Sequence, residues 1–151
     1  YRSMAAAAQA DGVSLTLVAG YQGADTRQAA YEARVQTYRD KRKSEEEAAR
    51  LAATIQPAAN ANEHGTGYAA DILSADNPQQ DTGFAETRAY EWLTAYAAEY
   101  GFILRYPQDR QAATGIVFEP WHWRYVGVEN ALAIRASGLS LEEFIALQRA
   151  D

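Results

Sequence analysis

The chain has 151 residues, of which 48% are hydrophobic and 23% are charged, and its formal net charge is −6. This length suits one domain with its own core, while the acidic balance argues against nucleic acid as a partner, because phosphates need a basic surface. The chain contains no cysteine, which excludes disulfides, thiolate metal sites and a cysteine nucleophile. No apolar run reaches the roughly 20 residues that a membrane-spanning helix requires.

The pattern of apolar and polar residues predicts interleaved helices and strands. In chain order these are a helix up to about residue 10, a strand at 14–19, a mostly helical stretch at 25–54 with a break near 43–44, a strand at 68–73, a helix at 86–100, strands at 102–105, 115–118 and 123–126, and helices at 129–136 and 141–149. Because the order has no strict βαβ rhythm, we expect an α+β fold with a small, mainly antiparallel sheet flanked by helices.

The ends and linkers of the chain bear on its organisation. The sequence begins abruptly at Tyr1 without a signal peptide, and no segment rich in Pro, Gly or Ser divides it. We therefore expect residues 1–151 to be a single domain from a longer protein, of which an N-terminal export or anchor segment is missing. Ser140 followed by Glu143 predicts a capping box at the start of the last helix.

The two histidines of the chain lie in unusual surroundings. His64 is part of NEHGTGYAAD (62–71), and His122 is part of FEPWHWRYVG (118–127). A lone histidine near aromatic residues is more often structural, but these two together with Asp71 supply two nitrogens and one oxygen. That set suits a catalytic zinc site, which keeps a fourth position open for water. The glycines after His64 permit a sharp turn that would bring Asp71 back toward it, although Asp71 could instead cap a turn.

A further carboxylate, Glu119, lies three residues before His122, with a proline between them. This spacing could place Glu119 beside a metal without making it a ligand. From there it could take a proton from an activated water and pass it to a leaving amine. The alternative is an ion pair between Glu119 and Arg124.

These strings resemble two signatures of the VanY-type D-alanyl-D-alanine carboxypeptidases, a group that also includes L,D-carboxypeptidases and D-Ala-D-Ala dipeptidases. The first string resembles Ser-x-His-x-x-Gly-x-Ala-x-Asp, and the second resembles EPWHxRYVG; residues 90–93, 100–107 and 141–144 also fit the family pattern. The resemblance implies a Hedgehog/DD-peptidase-like fold. It further implies a Zn²⁺ ion bound by His64, Asp71 and His122, with Glu119 as the catalytic acid/base. Trp121 would then shape the pocket wall, unless it is simply part of the core.

The resemblance implies an activity and a location. The reaction would be removal of the terminal D-Ala from peptidoglycan stem peptides, with either D,D- or L,D-specificity. Because that substrate lies outside the cytoplasmic membrane, we expect an extracytoplasmic protein, secreted, periplasmic or anchored through a segment absent from this chain. Two alternatives stay open: a peptidoglycan endopeptidase of the same superfamily, or a non-catalytic wall-binding module that kept the fold.

Two positions depart from the family pattern. Asn62 replaces the serine before the first histidine, and Gln22 replaces the arginine of a Gly-Tyr-Arg-Ser segment. A neutral amide cannot reproduce the charge-assisted grip of a guanidinium on a carboxylate. Arg27 could supply the missing charge, with Gln28 in the role of a family glutamine. Alternatively, the substrate lacks a free carboxylate at that point, or the site has lost activity.

Overall fold

The structure is a computed structural model that describes residues 1–150. Its helices and strands are α1 (Arg2–Ala10), β1 (Thr16–Ala19), α2 (Ala24–Asp40), α3 (Glu45–Ala53), β2 (Ala69–Leu73), α4 (Arg88–Tyr96), β3 (Phe102–Leu104), α5 (Gln111–Thr114), β4 (His122–Tyr125), α6 (Val128–Ser137) and α7 (Leu141–Gln148). Short 3₁₀ helices lie at Glu63–Thr66, Thr82–Glu86 and Ala97–Tyr100. The interleaved order confirms the expected α+β class.

The strands of the described residues form one antiparallel sheet in the order β1-β2-β4-β3. In the central pair, Ala70 lies opposite Trp123, and Asp71 lies opposite His122. Residues directly opposite each other on antiparallel strands project to the same face, and the next residue along each strand projects to the other face. The register therefore places Asp71 and His122 together on the face that Ala70 and Trp123 do not use.

The face of Ala70 and Trp123 carries the main core. Met4, Phe84 and Leu93 pack there with both residues, which brings α1, the 3₁₀ helix at 82–86 and α4 onto this side of the sheet. The indole N–H of Trp92, a buried residue of α4, donates to the Asp11 carboxylate after α1 at 2.8 Å. Burial of these large apolar groups supplies most of the driving force for folding. The sheet is thus packed firmly from one side, and its other side is free to carry polar groups.

Helices α2 and α3 form a pair with a small apolar cluster of their own. Val35 from α2 packs against Ala48 and Ala52 from α3, with tyrosines of α2 at the edge. The predicted break between the helices is confirmed: Arg42 has a φ of +60°, and the side chain of Ser44 caps α3 by accepting from the Glu47 N–H at 3.2 Å. The pair therefore has packing contacts of its own beside the sheet.

Two predicted elements differ from the structure. The strand predicted at 115–118 was wrong: Gly115 ends α5 with a φ of +74°, and the Val117 N–H donates to the Thr54 carbonyl after α3 rather than to a strand. The helix predicted at 86–100 is divided into α4 and the 3₁₀ helix at 97–100. The capping box at Ser140 and Glu143 is confirmed. Within residues 1–150, no helix is both long and apolar enough to cross a membrane.

Candidate metal centre and active site

Three buried side chains meet on the polar face of the sheet. His64 comes from the 3₁₀ turn before β2, Asp71 from β2, and His122 from β4. The Asp71 Oδ1 atom lies 3.3 Å from His64 Nε2 and 3.1 Å from His122 Nδ1. Ligand atoms about 2.0–2.1 Å from one tetrahedral zinc ion lie roughly 3.3 Å from each other. The three side chains therefore have the spacing of a single metal site.

His64 is held by hydrogen bonds to both its ring and its backbone N–H. Its Nδ1 lies 2.6 Å from the Gly20 carbonyl oxygen, and its own backbone N–H donates to Asn62 Oδ1 at 3.0 Å. A ring Nδ1–H that donates to a carbonyl leaves Nε2 unprotonated and available to a metal. Gly67 ends the turn in the left-handed region, with a φ of +74°, which a glycine adopts without strain. The short turn thus presents the ring nitrogen that faces Asp71.

Asp71 has one satisfied oxygen and one free oxygen. Oδ2 accepts a hydrogen bond from Gln80 Nε2 at 2.8 Å, whereas the buried Oδ1 has no hydrogen-bond donor among the described residues. Burial raises the pKa of Asp71, but the two facing histidines outweigh it and lower the pKa to about 2. A buried, ionised oxygen without a donor is costly unless a cation balances it. This orphan oxygen fits a metal ligand, and so do the two ring nitrogens beside it.

A chain of ion pairs lies behind His122. Its Nε2 lies 3.6 Å from Glu63 Oε2; Glu63 Oε1 in turn accepts from Arg105 Nε at 2.7 Å. Arg105 is buried and also donates to both carboxylate oxygens of Glu142 in α7, at 3.0 and 2.5 Å. Burial raises the pKa of Glu63, but the nearby His122 ring and the charge of Arg105 lower it to about 2. A carboxylate behind a ligating histidine holds the ring in place.

Glu119 lies beside the three potential metal ligands but is not one of them. It is 5% exposed, and its Oε2 lies 3.7 Å from His122 Nδ1. Burial raises the pKa of Glu119 to about 8; the charge of Asp71 adds to the increase, and the charges of His122 and Arg34 oppose it. A carboxyl group with a pKa near neutrality can both accept and return a proton. The alternative ion pair with Arg124 is not formed, because Arg124 faces Glu63 at 3.5 Å.

These groups lie in a cavity of about 520 Å³ between the sheet and α2. Its volume is within the range of small-molecule and peptide sites. Of the residues predicted to contact substrate, Asn62, Gln22 and Trp121 line it. Asn62 is also occupied as the cap of the histidine turn, and Trp121 also packs against the main core. The structure thus gives Asn62 and Trp121 structural contacts in addition to their place in the cavity.

Arg27 and Gln28 are placed differently from the prediction. Arg27 Nε donates to the Ala59 carbonyl at 3.1 Å, its Nη1 donates to the Gln22 carbonyl, and its guanidinium covers Gly65. Gln28 donates to a glutamate one turn further along α2, on an exposed face. Neither residue lines the cavity in the described part of the chain. The hydrogen bonds of Arg27 tie α2 to the loop before the histidine turn, which leaves its charge less able to replace the family arginine.

Several residues of the site were missed by the sequence interpretation. Nothing in the sequence indicated a role for Glu63 other than its position directly before His64. Arg105, which pairs with Glu63, and Glu142, which pairs with Arg105, come from distant parts of the chain. Gln80 reaches Asp71 from the loop after β2, where no periodic pattern marks it. Arg34 lines the cavity from α2, and its position there follows only from the packing of that helix.

The chain matches the family model described as VanY, D-alanyl-D-alanine carboxypeptidase, over residues 1–128. It is 38% identical over 139 residues to a D-alanyl-D-alanine carboxypeptidase of Enterococcus faecalis, an alignment that covers 92% of this chain and 50% of that protein. A mutant of the vancomycin-resistance D,D-pentapeptidase VanY, solved in complex with Zn(II), has a TM-score of 0.84 at 34% identity, over 95% of this chain and 78% of that one. The LD-carboxypeptidase LdcB has a TM-score of 0.84 at 32% identity, over 96% of this chain and 64% of that one.

Two histidines and one aspartate around a single point, with a separate carboxylate beside them, form the kind of site found in zinc peptidases. The chain belongs to the VanY family of D-alanyl-D-alanine carboxypeptidases. It spans about half the length of the curated relatives that it matches. The fold expected from the family resemblance is confirmed by the solved structures.

Proposed function

We propose that this chain is a zinc-dependent carboxypeptidase that removes the terminal D-Ala from peptidoglycan stem peptides. The observation that carries the proposal is the buried cluster of His64, Asp71 and His122 with Glu119 beside it, in an open cavity. Relatives named for this reaction, and a VanY structure that contains Zn(II), support the same assignment. We further propose that residues 1–151 act as one catalytic domain, which works outside the cytoplasmic membrane.

Each side chain has a role in this proposal. His64, Asp71 and His122 would hold the zinc ion, which when bound supplies a Lewis acid and lowers the pKa of water. Glu119 takes the proton from the attacking water and returns it to the nitrogen of the departing D-Ala. Its burial suits both transfers, because a pKa raised toward neutrality lets the same group act as base and then as acid.

The remaining wall of the cavity positions the peptide. The side chains of Gln22 and Trp121 face the same space as the ligands, so the peptide would lie between them with its scissile carbonyl near Asp71 and His122. Asn62 contributes mainly by holding the turn of His64, since its Oδ1 already accepts a hydrogen bond there. The proposal leaves the residue before the terminal D-Ala open, because the relatives include both D,D- and L,D-carboxypeptidases.

Mass spectrometry of stem peptides tests the proposal. A tetrapeptide and a pentapeptide stem are incubated separately with zinc-loaded protein, with a chelator-treated sample as the control. Loss of one alanine from either peptide, only in the zinc-loaded sample, is the expected result. The preferred peptide then distinguishes L,D- from D,D-specificity.

The same samples distinguish the alternatives. If both peptides survive while intact peptidoglycan is cut within its stems, the chain is an endopeptidase of this superfamily. If zinc is bound but no substrate is cut, the chain is a non-catalytic module with this fold. Either result would overturn the proposed carboxypeptidase activity.

A further inference from the structure

The charges around the cavity are unbalanced in a way that bears on substrate binding. Three carboxylates line it, from Glu63, Asp71 and Glu119. Arg34 is the only lysine or arginine among its lining residues in the described part of the chain. Arg105 and Arg124 neutralise Glu63 from outside the cavity. Among the lysine and arginine side chains of the described residues, a negatively charged ligand that enters this space therefore meets Arg34 alone.

Arg34 reaches the cavity along one face of α2. The residues that line the space from this side lie at intervals of four, with Gln22 in the loop before α2 and Thr26, Ala30 and Arg34 within it, and we call this set the helix wall. Residues four apart lie on the same side of a helix. Because Thr26 and Ala30 are small, the part of the helix wall between Gln22 and Arg34 leaves room in the cavity of about 520 Å³. A short peptide segment could occupy that room.

The guanidinium of Arg34 has no competing partner. Within residues 1–150, no hydrogen bond or ion pair engages it, whereas Arg27 is bonded to two carbonyl oxygens and Arg39 is paired with Glu45. The positive charge of Arg34 nevertheless acts on the active site, because it lowers the pKa of Glu119 and so opposes the effect of burial. An exposed, unpaired arginine at the rim of a cavity is free to bind an anion without first breaking another contact.

We propose that Arg34 binds a carboxylate group of the peptide substrate and thereby determines specificity for substrates that carry one at that position. The inference rests on the proposed function, and it adds Arg34, to which that proposal gives no role. A guanidinium can bind a carboxylate through two parallel charge-assisted hydrogen bonds, which a neutral amide such as that of Gln22 cannot replace. The terminal carboxylate of the D-Ala residue is the carboxylate nearest to the scissile bond.

Two stem pentapeptides test the proposal, one with a free terminal carboxylate and one with a terminal amide. Steady-state kinetics are compared for wild type, Arg34→Gln and Arg39→Gln, the last being a matched control on an exposed face of α2. For the free acid, Arg34→Gln should raise KM by about 10–100-fold, as expected for loss of a charged hydrogen bond, and change kcat less. For the amide peptide, Arg34→Gln should change KM by less than about threefold. Arg39→Gln should match wild type on both peptides.

A binding measurement separates this proposal from the activity itself. Zinc-loaded Glu119→Gln protein, which should bind but not cleave, is titrated with both peptides by calorimetry, with and without Arg34→Gln. Preferential binding of the free acid that disappears with Arg34→Gln supports the role of Arg34, even if wild type cleaves neither peptide and the proposed function fails. Equal affinity for acid and amide, or an equal loss on both peptides, would overturn it.

Discussion

The two walls of the cavity differ in how firmly their side chains are held. On the ligand wall, which we define as His64, Asp71, Glu119 and His122, every side chain is buried, and a backbone carbonyl, an amide or a carboxylate orients each of the three potential ligands. On the helix wall, Gln22 and Arg34 project from α2 and the loop before it, and Arg34 is exposed and unpaired within the described residues.

The difference follows from what each wall is attached to. Asp71 and His122 of the ligand wall lie on the central strands, whose opposite face is packed against the main core, and His64 and Glu119 lie in the segments just before those strands. The geometry of this wall is therefore fixed by many neighbours. The helix wall belongs to a helix pair that packs chiefly through its own small cluster. A site built in this way can keep its metal chemistry constant while the residues that select the substrate vary. Substitutions should therefore affect metal binding on one wall and substrate choice on the other.

The largest expected effect is on metal binding at the ligand wall. His122→Ala removes one of three ligands from a buried site, so zinc affinity should fall by at least about a hundredfold. Metal content after dialysis against a zinc buffer measures this, with Tyr125→Phe on the same strand as the folding control. An unchanged zinc content would remove His122 from the ligand set and abolish the proposed distinction between the walls.

A smaller effect should come from the ion pairs behind the ligand wall. Glu63→Gln weakens the contact with His122 Nε2 and removes one of the two carboxylates paired with Arg105. Loss of such a supporting carboxylate typically lowers metal affinity by about 10–100-fold. Competition with a coloured chelator measures the affinity, and Glu99→Gln, at an exposed ion pair, is the control. If Glu63→Gln binds zinc as tightly as wild type, the series of ion pairs that runs from Glu142 through Arg105 and Glu63 to His122 does not support metal binding.

The pH dependence of the metal-free protein gives a third test. The pKa of Glu119 is about 8 in the folded state against 4.5 without the fold, so the folded state holds this proton more tightly. The contribution of this proton to the free energy of unfolding is therefore fully present below a pH of about 4.5, and it is lost as the pH rises through 8. Glu119→Gln cannot lose a proton and should therefore be more stable than wild type at pH 8.5 by about 1–3 kcal/mol, but not at pH 5.

Urea unfolding of the metal-free proteins at both pH values measures this difference, with Glu46→Gln on an exposed helix as the control. If the difference in free energy of unfolding between Glu119→Gln and wild type is the same at both pH values, Glu119 is not held neutral by burial. In that case the ligand wall would be less isolated from solvent than its geometry indicates.

The smallest expected effect lies at the contact between α2 and the turn that carries His64. The guanidinium of Arg27 covers Gly65 so closely that a β-carbon there would displace it from the carbonyls of Gln22 and Ala59. Gly65→Ala should therefore destabilise the protein by about 1 kcal/mol, as expected for loss of hydrogen bonds to a charged group. Thermal unfolding measures it, and Gly20→Ala, where no atom lies within 4 Å of the added carbon, is the control. Equal melting temperatures for the two variants would argue against the contact.

The same division explains what the sequence could predict. The signatures around His64 and His122 are local strings, and the strand pattern indicated the sheet that brings them together, so the three potential ligands were found without the structure. Glu63 could not be assigned, because its partners Arg105 and Glu142 are distant in sequence and nothing in their local pattern marks the contact. The strand predicted at 115–118 failed because the Val117 N–H bonds to the Thr54 carbonyl at the end of α3 instead of to a neighbouring strand.

The helix wall was predicted least well. Local spacing suggested Arg27 as the replacement for the arginine that Gln22 displaces, but Arg27 bonds to backbone carbonyls, and the cavity is reached instead by Arg34, two turns further along α2. Which side of an amphipathic helix faces a cavity depends on its packing against the rest of the molecule. The apolar residues of α2 are too few to indicate that side, since Val35 is the only buried residue in it.

The central claim is that the ligand wall binds zinc with three side chains and uses a fourth, Glu119, for proton transfer. The most direct test measures zinc content and turnover on one preparation each of wild type and Glu119→Gln. One zinc per chain is predicted for both proteins, with turnover of the preferred stem peptide reduced at least about a thousandfold in Glu119→Gln. A loss below about tenfold with zinc retained would contradict the role of Glu119 and with it the proposed division of labour in the site.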